Sequence, residues 1–589
     1  MIDFATQLSH LLGPQFSKEG LDPNLAEVRR SARPDLGDFQ CNGALAGAKQ
    51  KGENPRALAD RLLEALRGDK LLRETSVAGP GFINLALSDE ALAAQANRLA
   101  DDPRSGLVPA AQSLRVLVDF AGPNVAKPMH VGHLRSTVIG DSLQRIARAL
   151  GHKVTSDAHF GDWGLQIGLL IISLEDEQPD LPYFREDYTD ADFIEEPPVT
   201  MEDLDRMYPA ASARMKEDLA YRDRARKATA ELQKGRAGYL ALHKHFWTVS
   251  KVALEREFNA LNIHFDLWKG ESDVNYLIEG LVEKAREQGV GVPSEGALVI
   301  HVTREDDKKE VPPLLLVSSE GSAMYGTTDL ATIVEREREV NPELYLYVVD
   351  QRQALHFVQV FRAAERAGLS QESRLEHIGF GTMNGTDGKP FKTRSGGIIK
   401  LHDLITSCTT KAMEKMEEGG FGAELSAEEK QQTALMVGTA ALKFADLSNY
   451  RLTDYIFDMD RFTSFEGKTG PYLQIQGVRV KSLLRKAADQ GFGQSAIQVI
   501  LPEEKALVLT LDGFNAAVHT AFEKRAPHFL AEHVFTLAQA FSTFWVASPP
   551  ILKEPDEAVR GSRLRLARTV LTQLELGLGL LGIEIPERM

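Results

Sequence analysis

His130 and His133 stand three residues apart with Gly132 between them, directly after Pro123-Asn124-Val-Ala-Lys127-Pro128. At a helix start such a pair shares one face. Two imidazoles there can donate hydrogen bonds to phosphate oxygens as negative charge builds in a transition state, and Gly132 lets a ligand come close to the backbone. The elements that must position them flank the pair. The apolar run Leu114-Arg-Val-Leu-Val-Asp-Phe120 predicts a buried strand; Leu134, Val138, Ile139, Leu143, Ile146 and Leu150 then recur at helical spacing up to Gly151, at a C′ place. Strand, Gly/Pro turn and helix N-terminus form a phosphate-reading geometry, because unpaired N–H groups and the helix dipole both favour an anion. Four residues alone would suit an ordinary helix start equally well. The Pro-Asn-x-x-Lys turn before them weakens that plainer reading.

Three further stretches carry side chains suited to a ligand. His159-Phe-Gly-Asp-Trp-Gly-Leu-Gln-Ile-Gly168 follows a second predicted strand near Lys153-Val-Thr-Ser156, at the strand end where open parallel sheets bind ligands. Asp387-Gly-Lys-Pro-Phe-Lys-Thr-Arg-Ser-Gly-Gly397 concentrates Lys389, Lys392 and Arg394 on a glycine-rich loop, able to hold a triphosphate or simply a solvated hairpin. Pro34-Asp-Leu-Gly-Asp-Phe39-Gln40-Cys-Asn42-Gly43 offers an aromatic ring and two amides. That set can stack on and hydrogen-bond an unpaired base, although loops of this composition are usually only turns.

With 589 residues the chain exceeds a single core, so about three domains are expected. Residues 1–108 read as an N-terminal α/β unit, with a glycine-led strand at Gly79-Pro-Gly-Phe-Ile-Asn-Leu-Ala-Leu87. Residues 109–455 alternate strand and helix as a Rossmann-type parallel sheet does. They are interrupted at about 174–255 by an acidic, proline-bearing and then helical insertion whose charges are expected to face solvent. Leu344-Tyr-Leu-Tyr-Val-Val349 is a further strand, followed by a helix from Ala354 to Ala367. Residues 456–589 predict an all-α bundle. There Gly470-Pro-Tyr-Leu-Gln474 opens a helix with Val478, Val480, Leu483 and Leu484 inward and Arg479, Lys481, Arg485 and Lys486 outward.

The 84 acids against 68 bases give a formal charge of −16. This argues against a general DNA coater but leaves room for an enzyme that grips nucleic acid through local basic patches. Cys41 and Cys408 cannot make a disulfide framework and have no metal-ligand spacing. Neither a leader pattern nor an apolar span of membrane length is seen, so a cytoplasmic location without membrane attachment is expected.

Several stretches together resemble the bacterial arginyl-tRNA synthetases, which are class I aminoacyl-tRNA synthetases. Pro123 to Thr137 resembles that family's form of the HIGH signature. Phe160-Gly-Asp-Trp-Gly-Leu-Gln166, Tyr325-Gly-Thr-Thr-Asp-Leu-Ala331, Phe457-Asp-Met-Asp460, Phe465 to Gln474 and Leu580 to Met589 resemble later signatures in the family's order. The resemblance implies ATP-dependent formation of arginyl-adenylate and transfer to the terminal ribose of tRNA(Arg). It also implies an N-terminal domain that touches the tRNA elbow and a C-terminal bundle that reads the anticodon. Mg²⁺ is expected to arrive with ATP rather than in a protein cage, and a monomer is expected.

Residue by residue, the resemblance puts His130 and His133 on ATP phosphates, and Gly132, Gly381, Thr382 and Met383 are expected beside ATP. It puts Asp119, Asn124, Tyr325, Asp329 and Gln353 at arginine, and Phe39, Gln40 and Asn42 on the tRNA's dihydrouridine loop. Arg479 and Arg485 are candidates for the tRNA footprint of the bundle. The usual Lys-Met-Ser-Lys-Ser signature appears only as Lys389-Pro-Phe-Lys-Thr393, in ambiguous register. Its phosphate role is therefore shared among Lys127, three residues before the first histidine, Lys392 and Arg394. Gly477 stands where relatives often carry a histidine. Asp329 reads either as a partner for a guanidinium or as a cap of its own helix. A nucleotidylyltransferase without tRNA and a non-catalytic tRNA-binding relative are the rival classes; the first leaves both outer domains unexplained, and the second should have lost a histidine or the basic loop.

Overall fold

The computed structural model describes residues 2–319, 321–370, 374–389, 391 and 399–589. Its centre is a parallel sheet of β1 (Arg115–Phe120), β2 (Lys153–Asp157), β3 (Leu344–Val348) and β4 (Arg374–His377), in the order β4-β3-β1-β2. β3 is buried along its whole length and β1 from Val116 onward, as strands covered on both faces are. Connections leave β1 in one direction and return to β3 on its other side. The carboxyl ends of these two strands therefore flank a crevice of the kind in which open α/β sheets hold ligands.

Helix α1 (Val131–Ala149) joins β1 to β2 and packs on both. A Cβ at Gly140 would lie 2.2 Å from the Phe120 ring, so only glycine lets α1 come this close to its strand. α1 is buried on nearly every side, Arg135 and Asp141 included. Two charges so placed need partners, and both find them on α5 (Ala427–Leu447): Arg135 Nε bonds Asp446 at 2.9 Å and Asp141 lies 3.5 Å from Lys443 Nζ. Helices α2 (Leu165–Glu177), α3 (Tyr325–Glu339) and α4 (Ala354–Arg366) complete the layers around the sheet.

The insertion is helical over Met201–Glu217, Leu219–Gln233 and Ala237–Ala260. Its charges face solvent, as expected, and also pair across helices: Arg206 with Glu177 at 2.8 Å, Arg214 with Asp176 at 3.0 Å. After it comes a three-stranded antiparallel sheet, Gly291–Ser294, Ala297–Ile300 and Leu314–Val317, with its own core against α3 and α4. Strands of four residues, one holding Pro293, leave little pattern in a sequence. At the N-terminus, Phe82–Leu87 lies where a strand was expected, flanked by Phe39–Cys41 and Leu72–Ala78, with Val28–Arg30 beyond Phe39–Cys41 in one antiparallel sheet.

In the C-terminal bundle α6 (Gly470–Asp489) opens as expected, with Thr469 capping it. The outward basic face is different from the expectation. Lys481 is almost buried, bonded to Ile585 O at 3.2 Å and to Glu587 at 2.5 Å, and Arg485 donates to Glu587 O at 2.9 Å. Lys481 thus holds the terminal segment rather than facing solvent, whereas Arg485 does both and Lys486 is exposed as expected. A Cβ at Gly477 would lie 2.6 Å from Ile585 Cδ1, so the histidine of relatives would not fit this packing.

Removing one member of a buried ion pair strands the other. Asp446→Ala is expected to cost about 3–5 kcal/mol in urea unfolding, whereas Arg135→Met with Asp446→Leu recovers most of it. A double variant as unstable as Asp446→Ala would show that the pair adds net stability.

Candidate active site

The signature turn leaves β1 at Ala121, whose φ of +75° is unusual for a side-chain-bearing residue, and Ala126 follows at +63°. Both are pinned by serine hydroxyls: Ala121 N–H donates to Ser136 Oγ and Ala126 N–H to Ser250 Oγ, each at 2.8 Å. Asn124 pairs with Gly161, where Val125 N–H meets Gly161 O and Gly161 N–H meets Pro123 O, both at 3.1 Å. The first signature thus rests on the loop after β2.

His130 is the N-cap of α1 rather than a residue of its first turn, and His133 stands at N3. His130 Nδ1 accepts from the Gly132 N–H at 3.0 Å, and His133 Nδ1 accepts from the His130 N–H at 3.1 Å. A ring nitrogen that accepts carries no proton, so each imidazole is neutral with its proton on Nε2. Burial, then the nearby Lys127 charge, holds His130 below its ordinary range; burial, His130 and Lys127 push His133 down to about 3. The rings lie 4.0 Å apart, two neutral donors side by side. Gly132 is needed for this cap itself, since a Cβ there would come within 2.8 Å of the His130 ring.

One expectation fails here. The Val131 N–H bonds Ile399 O at 3.0 Å, the Gly132 N–H bonds His130, and the His133 N–H bonds His130 O at 2.8 Å. α1 therefore presents no row of open N–H groups, and an anion would meet the helix dipole and the two Nε2–H groups instead.

Lys392 and Arg394 lie outside the described residues. The chain after them is in place: Ile399 receives the Val131 N–H, and the Leu401 N–H donates to Met129 O at 2.9 Å. Lys127 is exposed and makes no ion pair among the described residues, while its charge depresses both imidazoles.

At the same carboxyl ends the sheet gathers carboxylates. Asp119, the penultimate residue of β1, accepts from Arg336 at 2.6 Å; Arg336 also bonds Asp157 at 2.8 Å. Burial opposes a charge on Asp157, but His159 and Arg336 hold it well below the usual range. Tyr325 opens α3, and Asp329 follows one turn later. Met324 is the N-cap of α3, so Asp329 does not cap it; instead Asp329 Oδ2 lies 2.7 Å from His356 Nε2 on α4. Burial pushes the Glu271 carboxyl up to about 7, opposed by His159 and reinforced by Asp162 and Asp329. Burial and the charges of Asp329, Glu271 and Asp119 raise the Tyr325 phenol in turn. Gln353 is exposed on the turn after β3.

His356, Arg336 and Glu271 were not singled out from the sequence. Arg336 lies seven residues after Asp329, on one helical face, a signal that was there to use. Glu271 and His356 come from elements with no motif of their own.

A family model described as the class I tRNA synthetase (R) catalytic domain matches residues 96–459, the DALR anticodon binding domain matches 473–589, and the arginyl tRNA synthetase N-terminal domain matches 3–87. The arginine–tRNA ligase of Maricaulis maris is 56% identical over 100% of both chains. This chain belongs to the arginyl-tRNA synthetase family. The arginine–tRNA ligase of Hyphomonas neptunium is 54% identical, again over 100% of both chains. The solved arginyl-tRNA synthetase of Thermus thermophilus superposes with a TM-score of 0.79 at 25% identity, over 100% of each chain.

The remaining expected positions are mixed. The N–H groups of Gly381 and Thr382 are spent on Arg451 O at 2.9 Å and Asp454 at 2.6 Å, and Met383 is buried in a short pairing with Tyr455. That loop is built against residues 451–456. Phe39, expected on a base, is 2% exposed and faces Phe4 in the N-terminal core, so its ring is not open to stacking in this arrangement. Gln40 and Asn42 alternate with it and turn outward, and Gln40 bonds Asn84 at 3.0 Å. Arg479 is half-buried, bonded to Gln476 and lying over Trp545, and Arg485 is committed to the terminal segment.

Because His133 resists protonation when folded, the unfolded chain takes up a proton below about pH 6.5 that the folded chain refuses. That part of the stability is complete above this value and fades as pH falls towards 3. The urea midpoint of His133→Asn should therefore fall less steeply than wild type on the acid side. Parallel slopes would place the ring in solvent.

Proposed function

We propose that this chain carries out its family's reaction in the cytoplasm as a monomer: arginine and ATP form arginyl-adenylate and pyrophosphate, and the arginyl group passes to the terminal ribose of tRNA(Arg). One observation supports the substrate most directly. Tyr325 sits within the fields of Asp329, Glu271 and Asp119. A pocket with that excess of negative charge suits a ligand that is always cationic and carries several donors, as a guanidinium does.

Arginine's carboxylate attacks the α-phosphate in line, with no covalent enzyme intermediate, so the protein's work is positioning and charge stabilisation. Asp329, steadied by His356, takes the guanidinium, and Tyr325 packs on it. Asp119 gives one oxygen to Arg336 and keeps the other for the α-ammonium. Asn124 and Gln353 border the same crevice. His130 and His133 donate Nε2–H to phosphate oxygens, which requires no protonated imidazole and hence no proton transfer. Lys127 adds the fixed positive charge, with Lys392 and Arg394 assigned to the same phosphates. Gly132 and the Gly381–Met383 loop border ATP. Mg²⁺ would enter with ATP, on its phosphates, where it neutralises charge. For tRNA, Gln40 and Asn42 offer amides to the elbow, and Arg479 lies on the bundle. No helix among the described residues is long and apolar enough to cross a membrane.

Pyrophosphate exchange assayed with every amino acid, with and without total tRNA, tests the reading: arginine alone should support it, and fully when tRNA is present. His130→Ala and His133→Ala should each lower kcat by about 10²-fold or more with little change in the ATP KM. Asp329→Asn should raise the arginine KM by orders of magnitude, since losing a buried charge partner costs roughly 2–5 kcal/mol. An unchanged arginine KM would remove Asp329 from the pocket.

A further inference from the structure

We propose that the chain holds a second small-molecule site, for a primary organic ammonium with a short apolar body, in a cavity behind the signature turn. The cavity measures about 780 Å³, within the range of ligand pockets. It opens between the helix Ala237–Ala260, the start of the helix Met201–Glu217 and the segment Lys400–Asp403, with Pro128 also on its wall. None of the groups assigned above to arginine or phosphate lines it.

Glu257 carries the argument. It is 7% exposed, it lines the cavity, and its Oε2 has no hydrogen-bond partner. A buried carboxylate oxygen left unpaired is costly, and a donor placed in the cavity would remove that cost. The surrounding charge selects a cationic donor. Glu202, Asp205, Glu257 and Asp403 line it together with Lys400, Arg256 and His402, and Lys400 is already bonded to Asp205 at 2.5 Å. Burial pushes Glu257 up to about 7, with Asp403 reinforcing and Arg256 and Lys400 opposing, so ammonium binding should tighten as pH rises through that value. Met201, Val249, Val252 and Leu254 form the apolar part of the lining, which calls for a hydrocarbon body rather than a polyamine.

The position gives occupancy a route to the histidines. Pro128 precedes Met129, whose carbonyl accepts the Leu401 N–H, and Lys400 pairs with His130. A ligand wedged beside these segments braces the seat of the signature turn.

Calorimetric titration of the whole chain with phenethylammonium and with its neutral counterpart 2-phenylethanol tests the proposal. The ammonium should bind, at least about tenfold more tightly than the alcohol, and more tightly at pH 8 than at pH 6. Glu257→Gln should lose about tenfold or more. Val252 is 64% exposed on the lining, so Val252→Lys should also abolish binding without touching the buried carboxyl, which keeps the test open if Glu257→Gln misfolds. Asp329→Asn should bind the probe as wild type does. No saturable binding, equal affinity for the alcohol, indifference to Val252→Lys, or loss in Asp329→Asn would each overturn it, the last by placing the probe in the arginine pocket.

Discussion

Two buried ion pairs between α1 and α5 determine where the rest of the molecule can sit. Arg135 meets Asp446 and Asp141 meets Lys443, in opposite order along the two helices. The pairing therefore requires antiparallel helices, and the charges alternate in sign, so a slip of one turn would strand Arg135, Asp446 and Lys443, with Asp141 keeping only Arg145 of its own helix at 2.9 Å. Such pairs add little net stability, but the penalty for mismatching them selects one register. That register fixes the height of the α1 N-terminus, and with it the histidines. The same cluster recruits the end of the chain: Lys443 Nζ donates to Gly582 O at 2.8 Å, and Ser142 Oγ donates to Leu580 O at 3.0 Å. Burial pushes Lys443 down to about 8, with Asp141 opposing.

The two halves of the crevice manage charge in opposite ways. On the phosphate side the imidazoles are kept neutral by burial and by their own capping bonds. They can donate hydrogen bonds without attracting a phosphate so strongly that the ground state is held as tightly as the transition state. On the amino-acid side carboxylates accumulate, with Arg336 beneath them as a fixed counter-charge bonded to Asp119 and Asp157. Arg336 keeps the cluster from repelling itself while leaving Asp329 and Glu271 to seek a cation. The two halves of the crevice therefore favour ligands of opposite charge, a cation beside the carboxylates and an anion beside the imidazoles.

Much of this was legible in the sequence wherever a periodic pattern was long. β1, α1, β3 and α4 follow from apolar spacing, whereas the roles given to Asp119, Asn124 and Lys127 came with the family resemblance. The errors have physical causes. Phe39 was read as a loop aromatic, yet Phe39 and Cys41 are buried while Gln40 and Asn42 turn outward. That alternation of period two belongs to a strand, and three residues are too few to announce one. The supposedly open N–H groups of α1 were lost to competitors that spacing does not reveal: the His130 ring itself, and a carbonyl from Ile399 far along the chain. Likewise Asp329 meets its partner His356 only because α3 and α4 pack together. Pairing between elements is set by the fold, whereas a motif lies within one element.

The N-terminal unit bears on how a large RNA could be held. It is not carried on a free tether. Asp512 of the bundle accepts the Phe4 N–H at 2.8 Å and Gln95 at 2.6 Å, and burial pushes its carboxyl up to about 6. Asn97 exchanges two hydrogen bonds with the backbone of Ile497, at 2.8 and 2.9 Å, and Lys505 pairs with Asp38 at 2.8 Å. Buried and reciprocal bonds of this kind hold a fixed orientation better than an exposed ion pair does. The outward amides of Gln40 and Asn42 and the surface of the bundle therefore belong to one frame, set before any RNA arrives. Binding to such a frame avoids the entropy of ordering two domains against each other. It also makes the spacing between the two surfaces a test of shape for any ligand long enough to touch both.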